Sequence, residues 1–221
     1  PAPGVPATPA ASTPPVFLAP GPLRVVTCHL GAGASLAAVR GGVSVDTTMG
    51  FTPLEGLVMA TRSGSVDPGL LLWLEEHAGM APAELASNLE HRSGLLGLAG
   101  TADMREVLGA EAAGQSDAAL AVGVYLHRLR AGIAAMAAAL GGLDALAFTG
   151  GVGEHSAPLR WRAAVGLAFL GIDLDRATNE TARPDQELSG AGARARTFLV
   201  EAREDLEIAR GVRRVLGKAQ S

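Results

Sequence analysis

Read for its apolar and polar positions, the patterned part of the chain opens with three short β-rich runs. Residues 23–30 (LRVVTCHL) form the first and residues 35–40 (SLAAVR) the second, with glycines between them. Gly41-Gly42 then turns the chain into residues 43–47. This predicts strand, tight loop, strand, Gly-Gly hairpin, strand. Further on, the period lengthens. Asp67-Pro68 supplies an N-cap with proline at the first helical position, and residues 70–77 supply the helix. Residues 82–90 (PAELASNLE) predict a second helix, 93–100 (SGLLGLAG) a Gly-rich connection, and 101–108 a short helix with Asp103 in its first turn.

The longest helical run is 117–140, where Leu126, Leu129, Ile133 and Met136 alternate with alanines, Gly123 and Gly132. Small residues there predict tight packing against a sheet or another helix. Residues 143–149 (LDALAFT) read as a buried strand, after which Gly150-Gly151-Val152-Gly153 opens a helix through 158–170. A short extended piece (171–174), a polar loop (177–192), a last strand (194–200) and a last helix (205–216) complete the pattern. The predicted fold class is α/β, with a mixed sheet flanked by helices. No repeat of 20–50 residues is visible.

One stretch follows neither period. Residues 46–67, DTTMGFTPLEGLVMATRSGSVD, thread polar residues among apolar ones and are punctuated by Gly50, Gly56, Gly64 and Pro53. Such a mix suits a segment lying half in a core and half in a cleft. Its one cation, Arg62, sits among small hydroxyls that leave a planar guanidinium accessible to carboxylate or phosphate oxygens. A surface arginine in a Gly-rich loop is the plainer alternative.

Composition narrows the function classes. The 221 residues are 48% hydrophobic and 18% charged, enough for one domain, or one plus a tail, with a substantial core. A net charge of −4 without a Lys/Arg stripe argues against a nucleic-acid surface. The longest apolar segment, near 129–146, is broken by Arg130, glycines and Asp144, so no membrane span is expected. Cys28 is the single cysteine; it reads as a buried, inert thiol and fits a reducing, cytoplasmic compartment. Residues 1–22 carry no charge and are dense in proline, alanine and threonine; they read as an extended, disordered linker rather than a signal peptide. The chain begins at Pro1 without an initiating Met, and the expectation is a piece of a longer reading frame.

Two glycine motifs carry candidate chemistry. His29-Leu30-Gly31-Ala32-Gly33 lies between two predicted strands, which excludes the dinucleotide fingerprint and the P-loop, since both need a helix directly after the glycines. Its clustered amides still form a concavity suited to anions. The second motif, 148–156 (FTGGVGEHS), runs strand, glycines, helix, so its amides sit at a positive helix end. Each also reads as ordinary structure: a tight hairpin and a packing turn.

The stretch MGFTPLEGLVMATRSGSVDP resembles the signature of acetate kinase and the related short-chain carboxylate kinases. HLGAGAS (29–35), FTGGVGE (148–154) and EDLEIAR (204–210) agree with the same family, in the same order. The resemblance covers about residues 23 to 216 and corresponds to the family's C-terminal half. It implies one lobe of the actin-like, ribonuclease-H-like fold, spanning 23–221, that binds nucleotide and forms a homodimer. By this resemblance the nucleotide contacts are His29, Leu30, Gly31, Ala32 and Gly33, then Asp103, Met104 and Arg105, then Gly151, Val152, Gly153, Glu154 and His155. Arg62 is the implied catalytic residue and Glu204 an implied Mg²⁺ ligand. Ala32 and His155 stand where the family usually has asparagine.

The implied reaction is Mg-dependent, reversible transfer of the γ-phosphoryl of ATP to acetate, giving acetyl phosphate and ADP. A carboxylate is already nucleophilic at neutral pH, so the protein mainly positions the reactants and neutralises charge. Arg62 then stabilises the equatorial oxygens of the transferring group. Two alternatives stay open: propionate or butyrate as acceptor, and a catalytically incompetent nucleotide-binding or dimerisation module. A sugar- or glycerol-kinase relative shares the fold but not the FTPLEGLVMATRSG run.

Overall fold

The computed structural model describes residues 21–218. The expected linker, residues 1–22, lies outside the described residues except for Gly21 and Pro22. Six strands form one mixed sheet in the order β3-β2-β1-β4-β6-β5. In chain order these are β1 (Arg24–Leu30), β2 (Ala34–Arg40), β3 (Val43–Thr47), β4 (Ala145–Thr149), β5 (Gln186–Glu187) and β6 (Arg196–Leu199). The first three are antiparallel neighbours, as expected. Arg24 pairs with Arg40 and Leu30 with Ala34, so the intervening residues 31–33 form a tight turn. β4 joins β1 in parallel, and β6 joins β4 in parallel.

Period-2 burial along β1 and β2 gives the core one face of this sheet: Val26, Cys28 and Leu30 alternate with half-buried residues, as do Ala34, Leu36 and Ala38. Against that face lies the long helix of the chain. The helices are α1 (Pro68–Ala78), α2 (Pro82–His91), α3 (Gly94–Ala99), α4 (Met104–Ala112), α5 (Ser116–Leu140), α6 (Gly150–His155), α7 (Ala157–Val165), α8 (Arg176–Thr181) and α9 (Glu204–Lys218). In α5 the buried positions Val122, Tyr125, Leu129, Ile133, Met136 and Leu140 recur every three or four residues, which is the stripe of a helix with one covered side. Fully burying each such large side chain contributes roughly 1.5–3 kcal/mol, so this stripe dominates how α5 docks.

Four sequence expectations need correction. Residues 93–100 are not a connection: they contain α3, whose Gly97 and Gly100 amides donate to the Ser93 and Leu96 carbonyls. Asp103 does not lie in the first turn of α4 but caps it, its carboxylate accepting from the Arg105 amide. The expected single helix after Gly153 is broken at Ser156 (φ −106°, ψ 81°), where Pro158 restarts α7, and a 3₁₀ turn follows at Ala168–Leu170. The polar loop 177–192 holds α8 and the short strand β5; α8 is capped by Asp175, which accepts from the Thr178 amide.

Some apolar surface has no cover from the described residues. No residue of α1 is buried, and Leu70, Leu72 and Trp73 are exposed. On α9, Ile208, Val212, Val215 and Leu216 are exposed in the same way. Among the described residues, no helix is long and apolar enough to cross a membrane. Cys28 is buried, and burial pushes its thiol pKa up, as expected of an inert core thiol.

Candidate active site

The parallel register of β1 and β4 pairs His29 with Thr149, so both strands end at the same level and their glycine turns emerge side by side. In the first turn the Gly31 amide donates to the Gly33 carbonyl at 3.0 Å. The Ala32 and Gly33 amides donate to no acceptor among the described residues. In the second turn Gly150 has φ +78°, and a Cβ there would lie 2.8 Å from the Leu30 oxygen. Only glycine allows that approach. A Cβ on Gly31 would in turn lie 4.0 Å from the Gly151 nitrogen, so the two turns line one concavity.

The second turn is fixed by side chains. The Glu154 carboxylate accepts from the Gly150 amide and from the Ala202 amide, both at 2.9 Å, and so joins α6 to the segment leading into α9. Arg160, only 2% exposed, donates to the Gly153 and Glu154 carbonyls at the end of α6. It also donates to both oxygens of Asn179 on α8. Burial without a carboxylate partner lowers its pKa from the ordinary arginine value. The guanidinium therefore depends on neutral acceptors, and they depend on it.

Arg62 reaches the same concavity from the irregular stretch. The Ala60 amide donates to the Ala32 carbonyl at 3.0 Å, which ties the turn 59–62 to the first glycine turn. The nearest Arg62 nitrogen, Nη1, would lie 3.4 Å from a Cβ on Gly33. Its protein contacts are weak ones, the Pro53 carbonyl at 3.5 Å and the Met59 sulfur at 3.8 Å. Arg62 makes no ion pair among the described residues, so its charge faces the concavity unneutralised. Glu204, exposed in the first turn of α9, approaches His29 Nε2 to 3.6 Å. Among the described residues no cluster of three or more His, Cys, Asp or Glu could hold a metal. A lone carboxylate such as Glu204 leaves most ligand positions to other oxygen donors, which a hard divalent ion accepts.

A cleft of about 770 Å³ adjoins these groups. Gly31, Ala32, Gly151, Val152 and His155 form one side of it, and the start of α4 forms another through Asp103, Met104 and Arg105. Arg105 donates to the Asp103 carboxylate and holds its pKa down to about 2. His155 Nδ1 donates to the Gly151 carbonyl at 3.0 Å. The expected residues Leu30 and Gly153 are buried beneath the turns, and with Glu154 they support the cleft without lining it. His29, Gly33, Arg62 and Glu204 also lie outside its lining; His29 and Arg62 flank the first glycine turn next to it, and Glu204 lies beside His29.

The sequence reading missed Met59, Ala60 and Leu95, which line the cleft, and Arg160, which braces it. Met59 and Ala60 lay inside the stretch singled out, but nothing local tells a cleft-facing methionine from a core one. A lone arginine on a helix reads as a solvated charge.

A family model described as the acetokinase family matches residues 18–210. The acetate kinase of Gloeobacter violaceus is 51% identical over 189 residues, which is 85% of this chain and 47% of that protein. A crystal structure of Porphyromonas gingivalis acetate kinase superposes with a TM-score of 0.83 at 38% identity, covering 88% of this chain and 49% of that one. A crystal structure of a propionate kinase from Francisella tularensis gives a TM-score of 0.80 at 38% identity, covering 85% and 48%. The chain thus spans about half the length of the curated relatives it matches. The six-stranded mixed sheet is that of an actin-like, ribonuclease-H-like lobe.

Proposed function

The chain belongs to the acetokinase family, and on that footing we propose that residues 23–221 form the nucleotide-binding and dimerisation lobe of a short-chain carboxylate kinase, with 1–22 as a linker. The reaction is transfer of the γ-phosphoryl of ATP to acetate. A carboxylate oxygen attacks phosphorus, the bond to the β–γ bridging oxygen breaks, and acetyl phosphate and ADP result. The observation that carries this reading is the meeting of two glycine turns with a guanidinium that makes no ion pair among the described residues and lies 3.4 Å from the Gly33 Cβ position.

Each part of the concavity then has a role. The free amides of Ala32 and Gly33 and the start of α6 receive phosphate oxygens. The mostly apolar cleft takes the nucleoside, with Asp103, Arg105 and His155 at its polar edge. Arg62 holds the equatorial oxygens of the phosphoryl group as it moves. Mg²⁺ fits Glu204, because a single carboxylate leaves room for the waters and phosphate oxygens it prefers; when bound it neutralises the phosphate tail. The acceptor is acetate, the acid named for most of the similar proteins. Exposed Leu70, Leu72 and Trp73 on α1 support a homodimer, and a single buried cysteine supports a cytoplasmic setting.

Titrating Mg-ADP into the purified chain by calorimetry and thermal shift tests the reading. Saturation at a hundred times Kd stabilises a folded protein by about 2.7 kcal/mol, which gives a clear upward shift in Tm. No shift at millimolar Mg-ADP overturns nucleotide binding. A second reading, a binding module without turnover, is favoured by Ala32, a cleft-lining residue with no polar side chain at a position where the family usually carries an amide. Acyl phosphate formation upon adding an N-terminal half separates the two.

A further inference from the structure

The turn that carries Arg62 is gripped from both sides. On one side lies the first glycine turn, through the Ala60 amide and the Ala32 carbonyl. On the other lies the beginning of α3. The Leu95 amide donates to the Met59 carbonyl at 2.9 Å, the Leu96 amide to Ala60 at 3.0 Å and the Ser93 amide to Thr61 at 2.9 Å. Three consecutive carbonyls leading into Arg62 are thus answered by the opening amides of one short helix, which would otherwise lack partners.

That grip depends on Gly94. Its φ is +60°, it is buried, and a Cβ built on it would lie 2.2 Å from the Met59 oxygen and 2.7 Å from the Arg62 oxygen. Any L-residue must push the turn off α3 or undock α3 from the turn. Met59, Ala60 and Leu95 all line the cleft, so the same displacement moves a cleft wall. We infer that Gly94 is a positioning residue: without touching substrate, it sets both the wall at Met59 and Ala60 and the aim of the Arg62 guanidinium. This rests on the nucleotide reading of the cleft and adds to it a residue no local motif identifies.

The test compares Gly94→Ala with Gly79→Ala in the full chain. Gly79, at the end of α1, has φ +65° and nothing within 4 Å of its Cβ position, so it carries similar backbone strain without the clash. Calorimetric titration with Mg-ADP is expected to give wild-type affinity for Gly79→Ala and at least tenfold weaker binding for Gly94→Ala. Equal affinity in wild type and Gly94→Ala overturns the inference while leaving nucleotide binding standing. Failure of the wild type to bind Mg-ADP overturns the nucleotide reading itself, and this inference with it. Should Gly94→Ala not fold, amide exchange on the wild type decides. By reciprocity of coupled equilibria, bound Mg-ADP slows the Leu95 and Leu96 amides at least tenfold and leaves Gly79 unchanged. Unchanged exchange at Leu95 and Leu96 in the nucleotide-bound protein contradicts it.

Discussion

Between β1 and β2 the glycine turn is closed by its own backbone, with Gly31 donating to Gly33. Between β4 and α6 the turn is held by side chains: by Glu154 within α6, and by Arg160 from α7, which Asn179 holds in turn. Both reach the same concavity, but their vulnerabilities differ. The hairpin turn follows from strand register and keeps its outward amides free, so ordinary substitutions nearby should leave it standing. The strand–helix turn depends on a buried cation and a doubly used carboxylate. Damage well away from the glycines should therefore deform it.

The largest expected effect lies where both turns act together. Arg62→Ala, assayed with an added N-terminal half, should lower turnover by about a thousandfold, with Tm unchanged because Arg62 makes only weak protein contacts. Near-normal turnover would remove Arg62 from the mechanism. The contrast between the turns is sharper in stability. Arg160→Met strips partners from two carbonyls at the end of α6 and from both oxygens of Asn179, and should cost about 3 kcal/mol in denaturant unfolding. A cost under about 1 kcal/mol would mean that the second turn does not depend on its remote brace.

Gly150→Ala against Gly31→Ala compares the turns directly. The first has φ +78° and a contact of 2.8 Å, and should cost about 2 kcal/mol. The second has no positive φ and a nearest contact of 3.4 Å, and should cost under about 1 kcal/mol. Equal losses would erase the distinction. The smallest effect is on pH. The Arg105 guanidinium holds Asp103 at about 2, below its ordinary 3.8. A depressed carboxyl stabilises the fold above its unfolded pKa and loses that contribution as pH falls through the folded value. The cap of α4 should therefore weaken only between about pH 4 and pH 2. An NMR titration of Asp103 with its midpoint near 4 would contradict this.

How much of this could be read beforehand follows from how local each feature is. The three leading strands, their Gly-Gly hairpin and the cap at Asp67 are written in adjacent residues, and they appear where expected. So are the two glycine turns and Arg62. Helix α3 was missed because SGLLGLAG has poor intrinsic helicity; it forms where the carbonyls of residues 59–61 receive its first amides. Helix α8 was missed because its polar sequence gains order from Asp175 at its start and from Asn179 bound to a buried arginine. Arg160 and Gly94 share one reason for being invisible: their partners lie in other elements, and only the assembled fold brings them together.

The central claim is that both glycine turns receive the same phosphate tail. Amide chemical shifts recorded while Mg-ADP is added to the isotope-labelled chain test it most directly. The account predicts that the Gly31, Ala32, Gly33 and Gly151 resonances move together along one binding curve, while Gly79 and Gly114, at the ends of α1 and α4, stay fixed. Saturable shifts confined to one turn, or none at either turn at millimolar Mg-ADP, would contradict it.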